Sequence, residues 1–205
     1  MSVYTKMLTA CALLFSFHSF AEPQWEDSLV INGNFALGGT AAEGWHAGFF
    51  DGAQGSVERI SGGDEAHPNM LLLKFNADPK GLIQVESKPF RLPTDGPRRF
   101  RLVTEHNGGG LVQIRFYAVE KGKGLIWLKR EDGSPVKLEQ VLQPGTEWTR
   151  TVSEWTLSKE RLAQNIYANV IVMFWASKTE LKVSSVNLQF EKTATPAPAA
   201  ATETK

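Results

Sequence analysis

Residues 29–45 read LVINGNFALGGTAAEGW, and the fold follows from how that stretch is taken. Leu29, Ile31 and the approach to Phe35 read as a first strand. Asn32-Gly33-Asn34 reads as a turn or bulge inside it, because Asn and Gly tolerate backbone angles that other residues resist. Phe35 is the first large ring that demands burial, and Trp45, beyond a Gly-rich loop, is the second. From residue 29 to residue 191 apolar and polar side chains alternate with a period of two almost throughout, the mark of sheets buried on one face.

That alternation predicts strands over Ser56–Ile60, Met70–Asn76, Leu82–Leu92, Arg99–His106, Leu111–Val119, Gly124–Lys129, Val136–Leu142, Thr149–Leu157, Ala168–Trp175 and Glu180–Glu191. Turn signals separate them, such as Ser61-Gly62-Gly63-Asp64, Asp132-Gly133-Ser134-Pro135 and Asn107-Gly108-Gly109-Gly110, the last read as a hairpin turn. Only Ser158–Tyr167 has a helical pattern, with Ser158 as its cap. Many short strands with almost no helix predict an all-β, antiparallel β-sandwich, most simply a jelly roll.

The ends differ from the middle. Lys6 followed by the apolar run Met7–Phe20 and the small residues of Ser19-Phe20-Ala21 reads as a secretory signal peptide over residues 1–21, too short for a membrane span. A lipoprotein-type cleavage before Cys11 is the competing reading, and the position of the apolar run after that cysteine argues against it. The expected organisation is a single sandwich domain over residues 22–192 and a solvated Ala/Pro-rich tail over residues 193–205. Without the signal segment no cysteine remains, which excludes a disulfide framework, a thiol nucleophile and a Cys-based zinc site. About 170 residues can bury roughly 70% of the unfolded surface in one core. The 22 basic and 22 acidic residues balance, and losing Lys6 leaves 21 against 22. A nucleic-acid partner, which needs a basic excess, is not expected.

Parity also assigns faces. Phe100, Leu102 and Thr104, then Val112, Ile114, Phe116 and Ala118, then Val170, Val172, Phe174 and Ala176, are the expected inward sets. Arg99, Arg101, Gln113, Arg115, Tyr117 and Trp175 then point to solvent, and we take them as one ligand face. Exposed rings stack on the C–H faces of a sugar, and planar donors and acceptors take its hydroxyls. A second candidate is the loop GWHAGFFDGAQG, where His46, Phe49, Phe50 and Asp51 crowd two rings and two polar groups into a Gly-rich segment. Trp45, Trp148 and Trp155 read as packing rings, and Trp127 between Lys-rich flanks as an exposed one. The histidines lie apart with no HExxH spacing, and no nucleophile elbow occurs, so no catalytic residue is assigned.

Asn32-Gly33-Asn34-Phe35 with Gly44-Trp45, the Gly145–Trp148 segment and the closing strand Val183–Phe190 together make the chain resemble the galactose-binding-like jelly rolls, especially secreted carbohydrate-binding modules. The resemblance covers about residues 29–191. It implies a structural calcium, held in many relatives by a Glu after the Phe and an Asp-Asp before the last strand's Val. Here Ala36 and Ser184-Ser185 stand at those positions, so no metal and no cofactor are expected, the acids of the Asp51 loop being the alternative donors. The expected function is an exported, non-catalytic glycan-binding domain, secreted or periplasmic, with no membrane span. An envelope or extracellular protein-interaction domain is the alternative, and a small jelly-roll hydrolase or lyase the third.

Overall fold

The computed structural model describes residues 23–76, 80–93, 98–157, 166–176 and 180–192. The signal segment, the tail and all but the last two residues of the expected helix lie outside them. Ile166 and Tyr167, the end of that expected helix, open a strand instead.

Twelve strands, and no helix among the described residues, make up the fold. They are β1 (Trp45–Phe50), β2 (Gly55–Ser61), β3 (Asn69–Phe75), β4 (Leu82–Ser87), β5 (Phe90–Arg91), β6 (Arg98–Asn107), β7 (Gly110–Glu120), β8 (Gly124–Trp127), β9 (Lys137–Leu142), β10 (Thr149–Leu157), β11 (Ile166–Trp175) and β12 (Glu180–Phe190). One sheet has the order β1-β4-β11-β7-β8, with β5 also on β11 and β9 also on β7; the other runs β10-β6-β12-β3-β2. Every pairing is antiparallel. The architecture is the expected antiparallel jelly-roll sandwich.

The core lies between the sheets, and parity places it. Ile83 and Val85 of β4, Val112, Ile114 and Phe116 of β7, and Val170, Val172 and Phe174 of β11 form one wall. Leu71, Leu73, Phe100, Leu102, Val183, Val186, Leu188 and Phe190 form the other. The Phe75 and Phe174 rings meet across it at 5.2 Å, and Trp155 stacks on Phe100 at 5.5 Å. Polar side chains are built into the interior as well. Gln140 of β9 accepts from the Thr104 hydroxyl at 2.7 Å and donates to the Leu102 carbonyl at 3.0 Å, tying one sheet to the other.

Three readings are corrected. First, Leu29–Phe35 is not a regular strand. Asn32 and Phe35 both lie in the left-handed region, at φ 52° and 55°, and Val30 is buried while Ile31 is exposed. The left-handed turn at Phe35 costs about 1–2 kcal/mol, and fully burying its ring returns about 2–3 kcal/mol, so the turn persists. The segment still lies along β12: Leu29 N–H donates to Leu188 at 2.9 Å and Val186 N–H to Gly33 at 2.7 Å. Asn32 gathers the loop, bonding Leu37 and Glu43 at 2.9 Å, while its carbonyl takes the Trp45 indole N–H at 3.1 Å. Second, Trp45–Phe50, read as part of a loop, is β1. Third, Gly108-Gly109 is no hairpin turn, because β6 and β7 belong to different sheets. A smaller difference is that the expected Leu82–Leu92 strand breaks at Lys88-Pro89 into β4 and β5.

Candidate functional site

The outer face of the seven-stranded sheet is built in cross-strand rows. Trp127, Tyr117, Tyr167 and Arg91 are neighbours in the first, and Lys137, Arg115 and Asn169 in the second. The third runs Glu139, Gln113, Ile171, Glu86, His46, and the fourth Val141, Leu111, Met173, Gln84, Gly48. Trp175, Leu82 and Phe50 close the face.

Its floor and its margin differ. Tyr117, Gln113, Asn169, Gln84, Ile171 and Met173 are buried, yet none of the three apolar ones among them belongs to the core cluster. The margin is open: Trp127 is 45% exposed and Trp175 41%. At the far end the Phe50 ring lies over Gly48, where a side chain would meet it at 2.8 Å. The floor is wired by hydrogen bonds. Tyr117 donates to Asn169 at 3.2 Å, and Asn169 donates to Glu86 at 3.1 Å. Arg115 donates to Gln113 at 2.6 Å, and Gln113 to Glu139 at 2.9 Å. The Arg115 guanidinium also sits 4.9 Å from the Trp127 ring, so its plane is oriented before any ligand arrives. Burial pushes the Tyr117 phenol above its ordinary value, with the Arg115 charge opposing. The Lys137 ammonium, 2.7 Å from Glu139, holds that carboxyl below its usual range, and Gln113 adds to the effect.

The expected ligand residues divide. Gln113, Arg115, Tyr117, Trp175 and His46 share this face. Tyr117 and Gln113, expected in solvent, are instead buried, because their own polar groups and those of Asn169 and Glu139 satisfy one another. Arg99 and Arg101 lie on the opposite side of the sandwich, on β6 of the five-stranded sheet. Parity fixes which way a side chain points from its own sheet, not which sheet holds the strand. There Arg101 covers the Trp25 ring at 4.3 Å and donates to Gln189 at 2.9 Å, while Arg99 bonds Glu154 at 2.5 Å. These arginines secure the N-terminal segment. Phe49 points away from the face, alternating with Phe50, and Asp51 sits in the turn beyond, at φ 55°. Trp127, Glu139, Glu86 and Asn169 were not among the expected site residues, and Phe50 entered only as a ring of the candidate loop. The signal for Trp127 was its place in a short apolar run between lysines; Glu139, Glu86 and Asn169 carry no signal without the register.

A cleft of about 620 Å³ opens elsewhere, between Asn107–Gly109, Pro144–Thr146 and the start of β12. Among the described residues its lining holds no aromatic ring, and its Glu180 and Lys182 pair with each other at 3.0 Å. Volume alone does not make it the better candidate. Among the described residues no three acidic, His or Cys groups converge as a metal site.

No family model matches the chain, and no curated protein matches its sequence. Solved structures do share the fold. The enzymatically active domain of tailspike protein 4 from bacteriophage CBA120 superimposes with a TM-score of 0.56 at 8% identity, over 80% of this chain and 21% of that one. A cyclase from Fischerella sp. TAU gives 0.55 at 9% identity, over 84% of this chain and all of that one (100%). A family 16 carbohydrate-binding module gives 0.49 at 12%, over 78% and 98%. At these identities the likeness is one of fold.

Proposed function

We propose that the chain is an exported, non-catalytic carbohydrate-binding domain that takes a glycan on the outer face of the seven-stranded sheet. The observation that carries this is the pair of open indoles, Trp127 and Trp175, at opposite ends of one face whose polar groups are already fixed by each other. A pyranose stacks on such a ring through its C–H face, and Arg115, Lys137, Glu139 and His46 offer partners for hydroxyls. Tyr117, Gln113 and Asn169 act beneath them as positioning residues. The resemblance of the NGNF…GW opening to carbohydrate-binding modules agrees with this reading, and the signal-like residues 1–21 support export.

Glu86 and Glu139 share a row but lie on β4 and β9, three strand spacings apart. At about 4.8 Å per spacing their backbones stand roughly 14 Å apart, and each carboxylate is already engaged by a floor amide, Glu86 by Asn169 and Glu139 by Gln113. A protein-docking role is favoured by one feature, the exposed Val119, Leu125 and Ile126 of the β7–β8 hairpin.

Titration calorimetry against a panel of soluble polysaccharides tests the proposal. Trp127→Ala and Trp175→Ala should each weaken binding at least about tenfold, some 1.4 kcal/mol, while Arg101→Ala on the opposite sheet leaves it unchanged. Indole variants that bind like the parent, or a parent that binds no glycan while capturing a protein partner through the hairpin, would overturn it.

A further inference from the structure

The turn at residues 35–39 aims its carbonyl oxygens at a common point, and a side chain occupies that point. Arg59 of β2 donates through Nε to the Phe35 carbonyl at 2.6 Å and through Nη2 to Ala36 at 2.7 Å. Nη2 also reaches Asn69 Oδ1 at 3.0 Å, and Nη1 approaches Gly39 at 3.5 Å. The Arg59 backbone N–H donates to Thr40 at 2.7 Å, so main chain and side chain grip the same loop. Three backbone carbonyls and an amide oxygen around one positive group is the surrounding a hard cation would have.

Calcium, which the fold's relatives imply near this turn, does not fit here. It asks for six to eight oxygens with charged carboxylates among them. Ala36 offers a methyl group, and Ser184 and Ser185 offer neutral hydroxyls. Ser184 is already within 3.4–3.5 Å of Glu105 oxygens. The carbonyls that remain are turned toward a guanidinium, which would repel a divalent ion a few ångströms away. Asp51 lies beyond the opposite end of β1, and the acid on this side, Glu105, lines the neighbouring cleft with its carboxylate paired to Ser184, which leaves a single carboxylate where calcium asks for several.

We propose that Arg59 is a built-in cation that replaces the metal ion of this turn. Its charge holds Phe35 in its left-handed conformation, and through the adjoining Asn32 network it fixes Trp45 and the start of β1. The planar fork matters as well as the charge, because one ammonium cannot address four separated acceptors. The turn is thereby made independent of calcium supply.

Thermal unfolding of the full chain with excess EDTA and with millimolar calcium tests this, whatever the outcome for glycans. The parent should melt at the same temperature in both. Arg59→Met, which keeps the aliphatic stem, should melt roughly 5 °C lower and be cut faster by protease within residues 35–44, with Arg59→Lys recovering only part of the loss. A parent midpoint that rises with calcium or falls with EDTA would overturn the proposal even if the variants fail to fold. An Arg59→Met protein as stable and as protease-resistant as the parent would overturn it too.

Discussion

His106 has its chemistry set by its neighbours. It is 1% exposed at the end of β6, with Nδ1 2.8 Å from the Gly108 carbonyl and Nε2 2.9 Å from the Thr151 hydroxyl. A carbonyl only accepts, so Nδ1 carries the proton and Nε2 accepts from Thr151. Burial pushes the imidazole below its ordinary value, and the Gly108 carbonyl only partly opposes this. The sign follows directly. The unfolded chain takes up a proton near pH 6.5, the folded chain resists until lower pH, and between those points the unfolded state binds more protons. Stability should therefore fall as pH drops below about 6.5. A His106→Gln variant should flatten that part of the profile, as followed by urea melts from pH 7.5 to 5. Equal slopes in the two proteins would contradict this reading of His106.

At the scale of elements, the N-terminal segment and β12 are joined where no side chain fits. A Cβ on Gly33 would lie 2.2 Å from the Val186 carbonyl oxygen, which is backbone and cannot yield. Gly33→Ala should lift the segment off β12 and cost about 2–4 kcal/mol, read as a lowered unfolding midpoint in denaturant. Much of this was legible in the sequence. The NGNF…GW stretch announced a special turn and two buried rings, and parity sorted Phe100 from Arg99 and Ile114 from Arg115. The rest was not legible, for local reasons. Trp45–Phe50 carries no clean alternation, because Gly48 makes room for the Phe50 ring and both phenylalanines stay exposed. Residues 29–35 look alternating, but two left-handed residues break the strand and move the buried position to Val30. The candidate face was half legible: β7 and β11 gave Arg115 and Trp175, whereas Trp127 and Glu139 join it only through pairing in register.

At the scale of the molecule, Gln140 ties the two sheets together through several polar contacts. It serves Thr104, Leu102, Thr151 and Ser153, all from the opposite sheet. Gln140→Leu preserves volume but leaves the buried Thr104 hydroxyl and two carbonyls without their partner. The expected cost is about 1–3 kcal/mol, measured by calorimetric unfolding.

The crossing at Gly108-Gly109 divides neighbouring strands between opposite sides, and it has a practical corollary. Thr156, exposed on β10, stands on the side away from Trp127 and Trp175. A lone thiol introduced there, in a chain whose only native cysteine is Cys11, would let the protein be immobilised or labelled with its indole-bearing surface turned outward.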